Sequence, residues 1–224
     1  MIWGRIERIA MAIWRQHWGL TYFRDRALVM RWEKANPDKP WLVREAVEAL
    51  DDLIKPGDLM AEFGSGRSTV WFCRKVGPTG KVISTEDYQP WYDKVKAQLA
   101  SAGVSNVEYL LAGQTPQEYL APATEAVARL GGRLDIALID GFKHRDHAAL
   151  WALDRIKPGG MIIIDNVNRY LPHATRSPAS LEKGSPGKSE LWVQFAQRTR
   201  SWRYAWFSSG VTDTAIWFAP PSAT

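Results

Sequence analysis

Apolar residues recur at helical spacing from the start of the chain. Ile2, Ile6, Ile9 and Ile13 share one face, with Trp3, Ala10 and Trp14 beside them and Arg5, Arg8 and Arg15 off the stripe. The spacing predicts a helix over 2–18. Docking on the domain or on a second copy of the chain is preferred for it over a substrate-covering lid, or a basic amphipathic helix on a membrane surface. Asn36-Pro-Asp-Lys-Pro40 is a break, after which Val43, Val47, Leu50 and Ile54 put a second helix over 41–54. Lys55-Pro-Gly-Asp58 then turns the chain into a regular alternation. Short apolar runs at 59–63, 81–86, 107–112, 134–140 and 161–166 read as strands, and helical patterns fall at about 68–76, 90–102, 116–130 and 143–156. This rhythm predicts an α/β fold, a mostly parallel sheet with helices on both faces.

Beyond Asn166 the pattern changes. Pro172, Pro178, Gly184, Pro186 and Gly187 punctuate a long loop, and loops of that length in a compact domain are functional lids or disordered. A helix over 190–200 and a hairpin of 202–208 with 212–219, joined through Ser209-Gly-Val, close the chain. The division expected is a Trp-rich helical appendage over 1–40 and one domain over 41–224, with 168–188 as its loop or lid.

Composition narrows the class. The chain has 224 residues, enough for one full core, and a formal charge of +5 without an arginine-rich run or an aromatic-interleaved basic strip, which disfavours nucleic acid as a partner. The single cysteine, Cys73, cannot form an internal disulfide and suits a reducing, cytoplasmic compartment; it falls in the apolar pattern of a helix. No run is long enough for a membrane span, and no signal-peptide pattern opens the chain. The twelve tryptophans gather towards the two ends, which predicts that the ends pack against each other, a second subunit (a homodimer) or a substrate.

The chemistry centres on Glu62-Phe-Gly64-Ser65-Gly66-Arg-Ser68-Thr69, where a buried strand turns tightly into a helix. In open α/β sheets ligands sit at such a turn. A dinucleotide fingerprint requires a third glycine where this chain has Thr69, and the Glu62 carboxylate would repel a pyrophosphate. The same carboxylate favours S-adenosylmethionine, whose sulfonium and α-ammonium are cationic. The second strand ends at Glu86-Asp87, about twenty residues on, where an acid can accept both ribose hydroxyls; Glu86 is preferred and Asp87 is the alternate. The third strand ends in Gly113-Gln114, a small turn and an amide that can reach an adenine edge.

Glu62-x-Gly-x-Gly-x-Ser68, the acid at Glu86 and Lys157-Pro-Gly-Gly160 before a strand together resemble the class I S-adenosylmethionine-dependent methyltransferases, over about 41–166. The resemblance implies a Rossmann-like sheet of order 3-2-1-4-5-7-6 with an antiparallel C-terminal hairpin. It also implies a cofactor site of Glu62, Gly64, Ser65, Gly66, Ser68, Glu86, Asp87, Gly113, Gln114 and Asp140. In that sheet order Asp140, Asp165 and Asn166 converge beside the cofactor, and two carboxylates with an amide oxygen suit a hard cation such as Mg²⁺. Asp140, Asp165-Asn166 and Lys143 match the pattern of cation-dependent O-methyltransferases acting on catechols and caffeoyl thioesters. This implies a metal that acidifies a small-molecule hydroxyl and Lys143 as general base, with His144 as its rival.

Departures from that subfamily leave the acceptor open. The glycine turn is two residues shorter, the Trp-rich start and the long loop have no counterpart, and Asp140-Gly-Phe-Lys143 replaces the tetrapeptide of amino-directed nucleic-acid methyltransferases. Three alternatives stand beside the metal-assisted reading: a metal-independent transfer with Lys143 or His144 as base, a non-catalytic module that keeps the fold as a binding surface, and an NAD-dependent enzyme.

Overall fold

Branched apolar residues dominate the short runs, so they pack best as a pleated sheet buried on both faces. The computed structural model describes residues 19–222; the helix expected over 2–18, with Trp3, Trp14 and Trp18, lies outside the described residues. Seven strands form one sheet: β1 Leu59–Phe63, β2 Lys81–Glu86, β3 Val107–Leu111, β4 Leu134–Ile139, β5 Ile156–Asp165, β6 Arg203–Ser208 and β7 Asp213–Phe218. Their order is β3-β2-β1-β4-β5-β7-β6, with β7 antiparallel to both β5 and β6 and the other pairs parallel. This is the order the resemblance implies.

The strand register decides which side chain meets which layer. Along β5, Ile162 and Ile164 join one core cluster, and Met161 and Ile163 join the other. The first cluster takes in α5 Pro116–Arg129, α6 Arg145–Leu153 and α7 Glu190–Arg198; the second takes in α2 Arg44–Leu53 and α3 Arg67–Val76. Each fully buried branched or aromatic side chain contributes about 1.5–3 kcal/mol. Lys157-Pro-Gly-Gly160, expected before the strand, lies inside β5 as an interruption of pairing: Leu134 faces Ile156, and Ile136 then faces Met161. Cys73 is buried in the second cluster.

Two regions depart from the sequence pattern. Helix α1, Leu20–Ala35, follows no clear apolar stripe, since Leu20, Phe23, Leu28 and Met30 face outward. Its anchor is Asp25, buried and paired with Arg176 Nη2 at 2.6 Å and Arg24 Nη2 at 3.0 Å. An ion pair across 151 positions leaves no local signature. The long loop after β5 is held in place. Asn168 Nδ2 donates to Pro178 O and Ser180 Oγ, both at 3.0 Å, and Ser177 Oγ donates to Asp213 Oδ1 at 2.6 Å. The C-terminal tryptophans close the same region: Trp192 stacks on Tyr170, Trp217 on Tyr204, and Trp206 on His173. Among the described residues no helix is long and apolar enough to cross a membrane.

Asp213 is fully buried and also accepts from Trp206 Nε1 at 2.8 Å, so it joins the loop to the terminal hairpin. Asp213→Ala is expected to lower the unfolding free energy by about 3 kcal/mol in urea, with the first protease cuts falling in 171–188. Unchanged stability and an unchanged cleavage pattern would contradict this role.

Candidate active site

The site begins with Glu62, the fourth residue of β1, which is fully buried. Ser68 Oγ donates to its Oε1 at 2.7 Å, and Thr69 Oγ1 and Ser84 Oγ donate to its Oε2, each at 2.6 Å. The N–H of Gly66 donates to Thr69 Oγ1 at 3.0 Å. Thr69 therefore does what a third glycine could not: its hydroxyl links the turn to the buried acid. Gly64 has φ +92°, and a Cβ there would stand 2.5 Å from the backbone nitrogen of Gly141. Burial pushes the Glu62 carboxyl up to about 7, while its three hydroxyl partners pull the other way. Glu62, expected at the cofactor, lies buried beneath the turn and shapes it through these hydroxyls.

Above the turn lies a cavity of about 840 Å³ at the carboxyl ends of the strands, walled by Gly64, Ser65, Glu86, Asp87, Gln114, Asp140 and Lys143 among others. Glu86 is oriented by four donors. Asp87 N and Tyr88 N reach Oε1 at 3.1 Å, and Ser65 N and Oγ reach Oε2 at 3.3 and 3.0 Å. Gln114 Nε2 donates to Asp87 O at 2.7 Å, which ties the end of β3 to the end of β2. Gly66, Ser68 and Gly113 shape the turns without lining the cavity.

The sequence reading missed Trp91, whose Nε1 donates to Ser65 O at 2.8 Å and so latches the glycine turn, and Phe142, 90% exposed on the cavity rim. Aromatic residues directly after an acid-ended strand or an Asp-Gly turn were the available signal.

Lys143 and His144 both turn to the β3 side. Lys143 Nζ donates to Gln114 Oε1 at 2.5 Å and lies 3.7 Å from Asp87. His144 Nε2 is 2.8 Å from Gln114 O; a carbonyl only accepts, so Nε2 is the donor. His144 does not line the cavity.

The three expected metal ligands are each engaged with protein partners. Asp140 Oδ1 accepts from Arg145 Nη2 at 2.9 Å, Asp165 Oδ1 accepts from Thr214 Oγ1 at 2.7 Å, and Asn166 Nδ2 donates to Thr212 Oγ1 at 2.7 Å. Burial raises both carboxyls; the Asp165 charge adds to the rise at Asp140, and the Arg145 guanidinium opposes it at both. Among the described residues no group of three His, Cys, Asp or Glu side chains could hold a metal ion. A guanidinium already stands against Asp140, the first of the three ligands expected for a divalent ion, and threonine hydroxyls hold the side chains of the other two.

The strand order and the glycine turn over a buried acid are those of the Rossmann-like methyltransferase fold. Residues 61–167 match the family model of a methyltransferase domain. The chain is 35% identical over 107 residues to the catechol O-methyltransferase of Mycobacterium tuberculosis, across 46% of this chain and 44% of that protein. It thus spans less than half the length of this curated relative. The O-methyltransferase of Bacillus cereus in complex with SAH shares the fold at 19% identity and a TM-score of 0.56, over 88% of this chain and 90% of that one. The O-methyltransferase TomG of Streptomyces achromogenes, in complex with SAM, does so at 18% identity and a TM-score of 0.53, over 77% of each chain.

The raised Glu62 carboxyl sets a pH signature. Between the ordinary glutamate value and about 7 the folded state holds a proton that the unfolded state has lost, so the Glu62 contribution to stability falls as pH rises through that window. The stability of the parent relative to Glu62→Gln should decline by at most about 1.4 kcal/mol per pH unit there. Parallel stability curves for the two proteins would contradict it.

Proposed function

We propose that this protein transfers the methyl group of S-adenosylmethionine to a hydroxyl oxygen of a small molecule. The observation that carries the reading is the cavity at the strand ends, with the oriented Glu86 carboxylate on one wall and Asp140 on another. A ribose diol matches the two oxygens of one carboxylate. Above about pH 7, where Glu62 is ionised, its charge beneath the turn favours the cationic amino-acid end of the cofactor. Oxygen as the acceptor atom is supported by the identity with a catechol O-methyltransferase.

The transfer is an in-line displacement. A lone pair of the acceptor oxygen forms the new bond to the methyl carbon, the carbon–sulfur bond breaks, and the sulfur leaves as a neutral thioether. The hydroxyl proton passes to a base on the cavity wall. Asp140 fits that role, because its side chain keeps a 30% exposed surface on the cavity, while Lys143 and His144 are turned towards Gln114. The divalent cation expected from the sequence has no part in these steps.

A second cavity, of about 590 Å³, lies between α1, residues 41–45 and the β6–β7 turn. Trp32, Trp41 and Leu28 give it apolar walls, and Arg176, Ser208 and Thr212 give it polar ones. Thr212, on its wall, also accepts from Asn166 Nδ2, just beyond the end of β5.

Calorimetry with S-adenosylmethionine should show one site, and Glu86→Ala should weaken it at least about tenfold, on the order of 1.4 kcal/mol. Incubation with a panel of catechols and phenols should give products heavier by one methyl group, and Asp140→Asn should lower kcat with little change in cofactor affinity. Absence of any S-adenosylmethionine binding would overturn the reading.

A further inference from the structure

Arg145 opens α6, five residues after Asp140, and is buried at the carboxyl ends of β4 and β5. Its Nη2 donates to Asp140 O at 2.8 Å and Asp140 Oδ1 at 2.9 Å, its Nη1 donates to Asp165 O at 2.5 Å, and its Nε donates to Gly141 O. The guanidinium carbon lies 5.5 Å from the centre of the Tyr170 ring. Every acceptor is an oxygen at the end of one of two neighbouring strands, which lead into the half-buried Asp140 and the buried Asp165. A planar fork satisfies oxygens from three residues at once, which an ammonium on a flexible stem does not. One oxygen of Asp140 is thereby taken. No described residue donates to Oδ2, and Asp140 lines the cofactor cavity.

We propose that Arg145 is a resident cation in the position a divalent ion would otherwise fill, and that it acts as a positioning residue. It fixes Asp140 by Oδ1 so that Oδ2 is presented to the cavity, and methyl transfer proceeds without a metal. The proposal rests on the methyl-transfer reading for its kinetic consequence alone; the exclusion of a metal ion by Arg145 stands independently of it.

The test uses the full chain and three readouts: calorimetry with S-adenosylmethionine, the electron paramagnetic resonance of added Mn²⁺, and turnover with a phenolic acceptor. The parent protein should bind the cofactor, leave Mn²⁺ free, and keep its turnover after dialysis against EDTA. Arg145→Ala should bind the cofactor within a few-fold of the parent and lose about a hundredfold in kcat. It should also regain turnover with added guanidinium ion and acquire a Mn²⁺ signal that Asp140→Asn in the same background removes. Arg145→Lys should recover only part of the loss. Should Arg145→Ala fail to fold, the Mn²⁺ and EDTA experiments on the parent still decide the matter. Stoichiometric Mn²⁺ binding by the parent, or turnover abolished by EDTA and restored by Mg²⁺, overturns the proposal, as does unchanged kcat in a folded Arg145→Ala. A parent that binds no S-adenosylmethionine overturns the methyl-transfer reading instead, and the Mn²⁺ result still tests Arg145.

Discussion

A carboxylate buried without partners is costly, and the three hydroxyls that satisfy Glu62 come from two separate elements. Ser68 and Thr69 lie in the first turn of α3, and Ser84 lies in β2. Satisfying that one acid therefore sets where the helix begins against the sheet and places the loop between them. Thr69 carries the constraint into the backbone by accepting from Gly66 N–H. Gly64 then passes the end of β4 at a distance no side chain would permit. The cavity floor follows from this arrangement, with the Ser65 hydroxyl and backbone left to orient Glu86, and Trp91 left to latch the turn.

A second cluster governs the neighbouring strand ends. One buried guanidinium, that of Arg145, donates to the carboxylate of Asp140 and to the backbone carbonyl of the buried Asp165. A buried charge persists only when paired and hydrogen-bonded, and the Arg145 guanidinium meets both conditions through Asp140 while joining the ends of β4 and β5. Thr214 and Thr212 complete the set from β7 and the turn before it. The terminal hairpin thus supports the site as well as closing the sheet. Thr214 also accepts from the backbone of Val43, so the segment leading into α2 is fixed to the same cluster.

Much of this was legible in the sequence because it is local. The strands β1 and β2 have the bounds that their apolar runs predict, and the acids fall at strand ends because parallel strands deliver their loops to one edge. The parts that escaped are non-local. Helix α1 is held by Asp25 and Arg176, far apart in the chain, and has no apolar stripe to betray it. The 168–188 stretch reads as loose from its prolines and glycines, yet Asp213 and Asn168 hold it by side-chain bonds that no local pattern encodes. Asp140, Asp165 and Asn166 fall at adjacent strand ends, as the sheet order implies, but the partner of Asp140 is hidden in the sequence. Arg145 lies in an ordinary helical first turn, and only the fold shows that its side chain turns inward. Glu62 was recognised as an acid of the site, while the hydroxyls that cover it, one of them on another strand, were not.

The central claim is that the cavity over the glycine turn holds the adenosyl cofactor with its ribose on Glu86. A crystal structure of the full chain grown with S-adenosylhomocysteine tests it most directly. The account predicts both ribose hydroxyls within hydrogen-bond distance of the Glu86 carboxylate and the amino-acid end over Gly64 and Ser65. Well-defined ligand density with the ribose seated elsewhere, such as the cavity beneath α1, would contradict it.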